Sequence, residues 1–272
     1  MKNKGNIAIF VSHAGCPHQC SFCDQRKISA AQQIPTLEQV QEICRQAIAH
    51  PRRPKQLEIA FFGGSFTAIP EKEQNALLEA VQPFLAMEGV TGIRISTRPD
   101  CITPEILQRL QQLHVTAIEL GAQSMQDAVL QKNHRGHTAQ DVRNAAKWIT
   151  DAGFSLGLQM MIGLDGSTPE QERETLRELL ALHPDALRIY PLVVLKGTKL
   201  AERVQNGSFV LYDWETVLEL CADALCACQQ QGVRVIRCGL HAEDTVQSEA
   251  IAGFYHPCLL YTSPSPRDRQ KS

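Results

Sequence analysis

The chain has 272 residues, 43% of them hydrophobic, enough for one large domain or two small ones with a proper core. No uncharged run is long enough to span a membrane, and a formal net charge of −2 does not mark a general polyanion binder. Ten cysteines occur without a secretion signal, so a disulfide framework is a weak reading and a cytoplasmic protein is expected.

In chain order, the first expected element is a strand, NIAIFVS (6–12), whose short apolar run meets polar SHAGC at once, unlike a signal peptide. HAGCPHQCSFCDQRK (13–27) follows, with Cys16, Cys20 and Cys23 crowded together. Thr36 then opens a helix with Leu37, Val40, Ile43, Cys44, Ala47 and Ile48 in helical spacing, and Gln39 completes a capping box. LEIAFF (57–62) is the second strand, followed by GGSFT and a helix over about 71–87. GIRIS (92–96) is the third, followed by TRPD and a helix started by Thr103-Pro104-Glu105. TAIEL (116–120) runs into GAQS, and Thr138 opens a helix with Val142, Ala145, Ala146 and Ile149 on one face. SLGLQMMIGL (155–164) leads into GLDGST, and Thr168-Pro169-Glu170 starts the next helix. ALRIYPLVVL (186–195) is the sixth strand, a helix runs from Asp213 to about Gln231, and VRVIR adds a further strand.

Six βα units in a row predict a parallel sheet with helices outside it, its strands covered on both faces. A doubly wound open sheet and a complete or partial barrel both satisfy that pattern. In either, functional loops follow the carboxyl ends of the strands. The cysteine loop, GGSFT, TRPD, GAQS and GLDGST therefore all fall on one rim.

Closely spaced thiolates hold either zinc or an iron–sulfur cluster. His13 and His18 lie near the three cysteines, so a Cys3His zinc site is the alternative. In the other reading three thiolates bind three irons of a 4Fe–4S cube, and the fourth iron keeps an open position for a ligand. Cys44, Cys221 and Cys228 stand in helical patterns and read as small buried hydrophobes, while core packing is favoured for Cys101 and Cys238.

C-x3-C-x2-C after a first strand, with Phe22 before the last cysteine, resembles the radical S-adenosylmethionine (SAM) superfamily signature. FFGGSFT is similar to that superfamily's glycine-rich second-strand motif. STRPD, ELGAQSM, NHRGHT, GLQMMIGL and LRIYPLVVLKGTKL resemble the radical SAM domain of the Elongator catalytic subunit and its shorter bacterial relatives. A more distant likeness is to oxygen-independent coproporphyrinogen III oxidase. The resemblance covers nearly everything up to about residue 257.

The resemblance implies an α/β fold, a partial (β/α)6 barrel over residues 1–231, with a short C-terminal extension over 232–258. It implies a 4Fe–4S cluster on Cys16, Cys20 and Cys23, and reductive cleavage of SAM to methionine and a 5′-deoxyadenosyl radical that abstracts hydrogen from a substrate. An electron donor of the flavodoxin or ferredoxin type is the implied partner. Gly63, Gly64 and Ser65 would lie against the methionine end of SAM, Gln123 and Arg135 match SAM-binding positions, and Ser96 and Gln159 fall where relatives place ribose contacts. Phe22 joins this cofactor-binding set as the aromatic residue of the signature. Arg98 and Asp100 read equally as an ion pair or as catalytic groups. Tyr190 and Lys196 are further candidates with ordinary structural readings, and Glu119, mid-strand, needs a partner if buried.

The Elongator likeness implies tRNA as substrate, modified at a wobble uridine. The barrel takes up almost the whole chain, so that family's acetyltransferase domain is not expected here. The basic clusters PRRPK (51–55), KNHRGH (132–137) and Lys2 with Lys4 are candidate RNA contacts or plain solvated loops. Two other readings stay open: a radical SAM enzyme on a small molecule, and a zinc or electron-transfer module without SAM chemistry. The last stretch, YTSPSPRDRQKS, resembles translated sequencing-adapter read-through. Residues 259–272 are therefore expected to be a disordered tail, the natural chain continuing differently after about Pro257.

Overall fold

Seven strands pair edge to edge in the order in which the chain makes them. In the computed structural model, which describes residues 4–11, 16, 19–24, 34–240 and 248–255, they are β1 (Lys4–Phe10), β2 (Gln56–Phe62), β3 (Val90–Thr97), β4 (Val115–Gln123), β5 (Ser155–Ile162), β6 (Ala186–Pro191) and, after the short β7 (Val193–Leu195), β8 (Arg234–Cys238). Every neighbouring pair is parallel. A doubly wound sheet reverses its strand order partway and carries helices on both faces. This order never reverses, so right-handed crossovers lay every helix on one face and the sheet curls away from them. The result is a partial barrel of seven strands where six were expected: VRVIR, assigned to the C-terminal extension, pairs with β6 and belongs to the main sheet.

The helices begin where threonine chemistry predicts. Thr36, Thr138 and Thr168 each close a reciprocal capping box at the start of α1 (Leu37–Ala49), α5 (Ala139–Asp151) and α6 (Pro169–Leu180). Thr103 and Asp213 cap α3 (Pro104–Gln112) and α8 (Trp214–Gln230). Each such cap stabilises its helix by about 1 kcal/mol. The helix expected near 71–87 is α2 (Glu71–Leu85). Two short helices, α4 (Asp127–Lys132) and α7 (Lys199–Gln205), span under two turns, too little for periodicity to reveal. Among the described residues no helix is long and apolar enough to cross a membrane.

One expected strand divides. ALRIYPLVVL does not run through: Pro191 has no amide to give a ladder, and the chain leaves the main sheet there. β7 pairs instead, antiparallel, with β9 (Ala250–Gly253).

Side chains alternate along the strands and sort the two faces of the sheet. Ile7, Ile9, Ile59, Phe61, Ile93, Ile95, Ile118, Leu120, Leu156, Leu158, Leu187 and Ile189 join Val40, Leu78, Leu107, Leu110, Val142, Leu179 and Val217 of the helices in one buried core. The alternate positions of β2 to β6 carry Glu58, Arg94, Glu119, Gln159 and Arg188 on the concave face. Glu119 is fully buried there and does have partners. Arg188 grips it with Nε–Oε2 2.6 Å and an NH2 bond of 3.1 Å, Gln159 donates at 3.0 Å, and Arg94 reaches it at 3.4 Å. Arg94 also holds Glu58 at 2.6 and 3.2 Å, and Arg188 stacks over Phe62 at 5.1 Å. Burial alone would raise the Glu119 carboxyl, but the charge of Arg188, then Arg94, holds it below the usual carboxylate value.

Gly157 makes the room, since a Cβ at that position would stand 2.7 Å from Glu119 Cγ. Replacing Glu119 by Ala strands a buried guanidinium, with an expected loss of roughly 3–5 kcal/mol in urea unfolding followed by circular dichroism. Glu58→Ala, at the more exposed end of the network, should lose clearly less. Equal losses would show that burial of the ion pair does not set its worth.

Candidate active site

The motif loops meet at the carboxyl rim of the half-barrel, as the strand pattern requires. After β1, Cys20 is buried, Cys23 is half-buried and Cys16 is exposed as a residue, all three as free thiols. Phe22 seats this loop. It is buried in an apolar patch of Val129 (α4), Met161 (β5), Leu164 just past β5, Val194 (β7) and Leu200 (α7), which also takes Cys20. His13 and His18, the imidazoles of the zinc alternative, lie outside the described residues. Among the described residues no three His, Cys, Asp or Glu side chains gather closely enough to hold a single metal ion. A cube needs a wider triangle of thiolates, one on each of three irons.

The Cys16 thiol is pushed up by burial of its sulfur and then by Cys20, against the pull of the Ser65 amide, Arg98 and Arg135. Crowded thiolates are unfavourable alone, and a metal inverts that logic.

Beside the cysteines, the sequence candidates behave in two ways. Some are already occupied. Ser65 is fully buried, its hydroxyl 3.0 Å from Thr97 Oγ1 and accepting the Arg98 amide at 3.3 Å, so it ties the loops after β2 and β3 together. Gln159 is bound to Glu119 in the ion network. Gly63, with φ +95°, and Gly64 make the turn that precedes Ser65. Arg98 is paired with Asp100 through two bonds of 2.9 Å and also donates to the Arg135 carbonyl. The ion-pair reading of TRPD therefore holds, with Arg135 as its beneficiary.

The others are reserved. Ser96 Oγ, Gln123 Oε1 and Arg135 Nε are buried and find no hydrogen-bond partner among the described residues. An unsatisfied buried polar atom costs about 1–3 kcal/mol, so Gln123 and Arg135, which meet beside Gly121, call for a ligand. Gln123 is also held at φ +67°, a left-handed conformation a non-glycine residue adopts at a cost. Arg135 is fixed by NH1 on Cys20 Sγ (3.2 Å) and NH2 on the Gly121 carbonyl (2.5 Å). A Cβ on Gly121 would lie 3.0 Å from Gln123 Nε2 and 3.4 Å from Arg135 NH2, so this glycine keeps the cradle open. Two acceptors and a cationic donor next to a thiol loop fit the amino-acid and sugar hydroxyl groups of SAM.

Sequence reasoning missed four contributors. Thr97 and Thr67 share a 2.6 Å bond that braces the loop after β3. His137, buried with Nε2 3.1 Å from the Ala122 carbonyl, is pushed down to about 4 by burial and by Arg135 and Arg98. Asn133 is fully buried under the cysteine loop. The last two stand in KNHRGHT, whose pattern marks a basic cluster and a SAM-binding arginine but gives no sign that its asparagine and second histidine are buried.

Comparison with known proteins gives the family and the fold. A model of the radical SAM superfamily matches residues 10–179, and one of the radical SAM C-terminal domain matches residues 184–260. An uncharacterized protein of Methanocaldococcus jannaschii is 32% identical over 225 residues, 78% of this chain and 68% of that protein. The tRNA uridine(34) acetyltransferase of Methanocaldococcus infernus is 26% identical over 258 residues, 79% of this chain and 48% of the relative. Among solved structures, the archaeal Elongator protein 3 of Methanocaldococcus infernus with an N-terminal deletion superposes with a TM-score of 0.67 at 22% identity. That match covers 82% of this chain and 54% of the other, so the chain spans about half the length of these last two.

The rim also carries a titrating carboxyl. Glu172 of α6 is buried and accepts the Gly163 amide at 2.9 Å, and burial pushes it up to about 7. Between its ordinary 4.5 and about 7 the native state holds a proton that the unfolded chain has lost. Its contribution therefore falls as pH rises through that window, by up to roughly 3 kcal/mol. His137 adds the opposite slope below its ordinary value but does so equally in a Glu172→Gln variant. Urea unfolding at pH 5 and pH 8 should show the difference between wild type and E172Q moving in favour of E172Q at pH 8. A pH-independent difference would place Glu172 at its ordinary value.

Proposed function

The chain belongs to the radical SAM superfamily, and from that premise we propose that it modifies tRNA at a wobble uridine. Its cofactors are those of the superfamily, a 4Fe–4S cluster and SAM. When bound, they supply a 5′-deoxyadenosyl radical by reductive cleavage of the sulfonium. The observation that carries the cofactor assignment is the pair of buried side chains bordering Gly121, Gln123 and Arg135, each with one atom left without a partner.

The chain's own residues divide the work. Cys16, Cys20 and Cys23 would hold the cluster, and Phe22 seals their loop against water. Arg135 keeps one nitrogen, Nε, wholly unengaged for a carboxylate, and the oxyacid end is where a fixed guanidinium discriminates best. Gln123 Oε1 would accept from the amino group and Ser96 Oγ would meet a ribose hydroxyl. Gly63 and Gly64 offer bare backbone to the methionine end. Gln159, bound to Glu119, would support the ribose side from below. An electron donor is required, and a flavodoxin- or ferredoxin-type protein suits the task.

The tRNA assignment rests on the relative named as a tRNA uridine(34) acetyltransferase. One structural observation favours the small-molecule reading instead. Arg52, Arg53 and Lys55 precede β2, and Lys4 starts β1, so these basic residues occupy the amino rim. A seven-residue strand places them on the order of 20 Å from the chemistry. On the catalytic rim, Lys132 is paired with Asp165 at 2.8 Å, and Arg135 is buried.

Anaerobic reconstitution with iron and sulfide, followed by SAM and dithionite, should yield 5′-deoxyadenosine by mass spectrometry. Cys20→Ala should abolish it, and Arg135→Gln should reduce it about tenfold or more. Absence of product from cluster-loaded wild type defeats the cleavage assignment. Binding of bulk tRNA that weakens steeply with salt supports the RNA substrate, and no binding at low salt transfers the assignment to a small molecule.

A further inference from the structure

We propose that Asn133 is a positioning residue for the cluster, a latch that holds the cysteine loop through Ser21. The proposal rests on the cofactor reading above and concerns how the protein grips the cluster rather than whether it has one.

Asn133 lies in the turn after α4, and no part of it is exposed. Its carboxamide is fully used. Nδ2 donates to the Val129 carbonyl at 2.9 Å and to the Asp165 carbonyl at 2.9 Å, while Oδ1 accepts the Ser21 hydroxyl at 2.9 Å. Its main-chain carbonyl takes the Ser21 amide at 3.1 Å. Ser21, also fully buried, stands between Cys20 and Phe22, and its own carbonyl accepts the Leu200 amide of α7 at 2.8 Å. The main-chain and hydroxyl groups of one loop residue are thus all held by distant segments. Two residues on, Arg135 bonds the adjacent Cys20 sulfur. The turn therefore touches two consecutive residues of the loop.

The anchor is itself anchored. Asp165, whose carbonyl Asn133 holds, sits buried with its carboxylate between Lys132 Nζ and Arg203 NH1, each at 2.8 Å. Only a carboxamide satisfies this place. Aspartate would lose both donors and bury a charge against two carbonyls, serine would be too short to span Val129, Asp165 and Ser21, and alanine would leave the Asp165 carbonyl and the Ser21 hydroxyl unpaired. Three thiolates bind a cube more weakly than four, so the entropy of the ligand loop weighs heavily on retention.

The test compares wild type, Ser21→Ala, Asn133→Ala, the double variant and Thr175→Ala, each as the full chain reconstituted anaerobically. Thr175 is an equally buried hydroxyl that bonds the Met125 amide away from the loop. The readouts are iron per chain, the rate of cluster loss to a chelator followed by absorbance, and the thermal midpoint of the cluster-free protein. Ser21→Ala, the milder change, should speed cluster loss severalfold and Asn133→Ala about tenfold or more. The double variant should lose its cluster no faster than Asn133→Ala, because both changes break one linkage. Thr175→Ala should lower the midpoint without speeding cluster loss. The latch is overturned if Ser21→Ala retains its cluster like wild type, or if Thr175→Ala loses its cluster as fast for the same drop in midpoint. Wild type that takes up no iron overturns the cofactor reading instead, a failure told apart by that single measurement.

Discussion

A buried carboxylate shared by two arginines governs the inside of this half-barrel. Taking Glu119, Arg94 and Arg188 out of water is expensive, and such networks are weak sources of net stability. What the network does is fix geometry. It joins β2, β3, β4, β5 and β6 across their concave face, where an open, curled sheet has no partner sheet to hold it. Glu119 forms the floor, and two residues along β4, on the same face, Gly121 leaves the gap into which Gln123 and Arg135 reach. Gln159 extends the floor beneath the site. A polar, rigid base under the cradle keeps the unpartnered atoms of the rim aimed at a ligand instead of collapsing onto one another.

Much of this was legible in the sequence because local chemistry and fold agree. Threonine caps and the placing of each motif at the carboxyl end of a strand read correctly from a few neighbouring residues. Strands covered on both faces did not, since alternate positions of β2 to β6 carry Glu58, Arg94, Glu119, Gln159 and Arg188 on a face without helices. Barrel and doubly wound sheet could not be told apart, since strand order is a long-range property that no local pattern carries. The site was legible in part. Gln123 and Arg135 stand out by resemblance, but nothing in ELGAQSM announces that Gln123 takes a positive φ. Ser65 looks in sequence like a ligand-facing hydroxyl, and only the fold shows it committed to Thr97 and Arg98. Asn133 reads as a turn asparagine, one of the commonest residues in such places. Its partner Ser21 is 112 residues away, and separation on that scale is invisible to spacing rules.

The arginines of the rim show how one charge can serve by holding another. Asp100 neutralises Arg98, Arg98 pins the Arg135 main chain, and Arg135 spends two of its three nitrogens on Gly121 and Cys20. Each step removes rotamer freedom before any ligand arrives, which is how a site avoids that loss on binding. The same economy keeps Arg98 and Arg135 inside the rim, whereas Lys196 and Lys199, after β7, are exposed cations that the described rim presents.

The break at Pro191 gives the C-terminal part of the chain its access to the site. Had the ladder continued, Val193–Leu195 would have lengthened the sixth strand and risen above the rim within the main sheet. The main-sheet ladder ends just past Pro191, with the Leu192 amide on the Ile162 carbonyl at 2.9 Å, and the chain departs to pair with β9 while the Phe254 amide takes the Leu192 carbonyl at 2.8 Å. That departure brings α7 across the mouth, so that Leu200 donates to Ser21 and, with Val194, walls in Phe22. The regions matched by the two family models therefore meet on the cysteine loop itself. A change in how residues 193–205 pack is felt two residues from Cys23, without passing through the sheet.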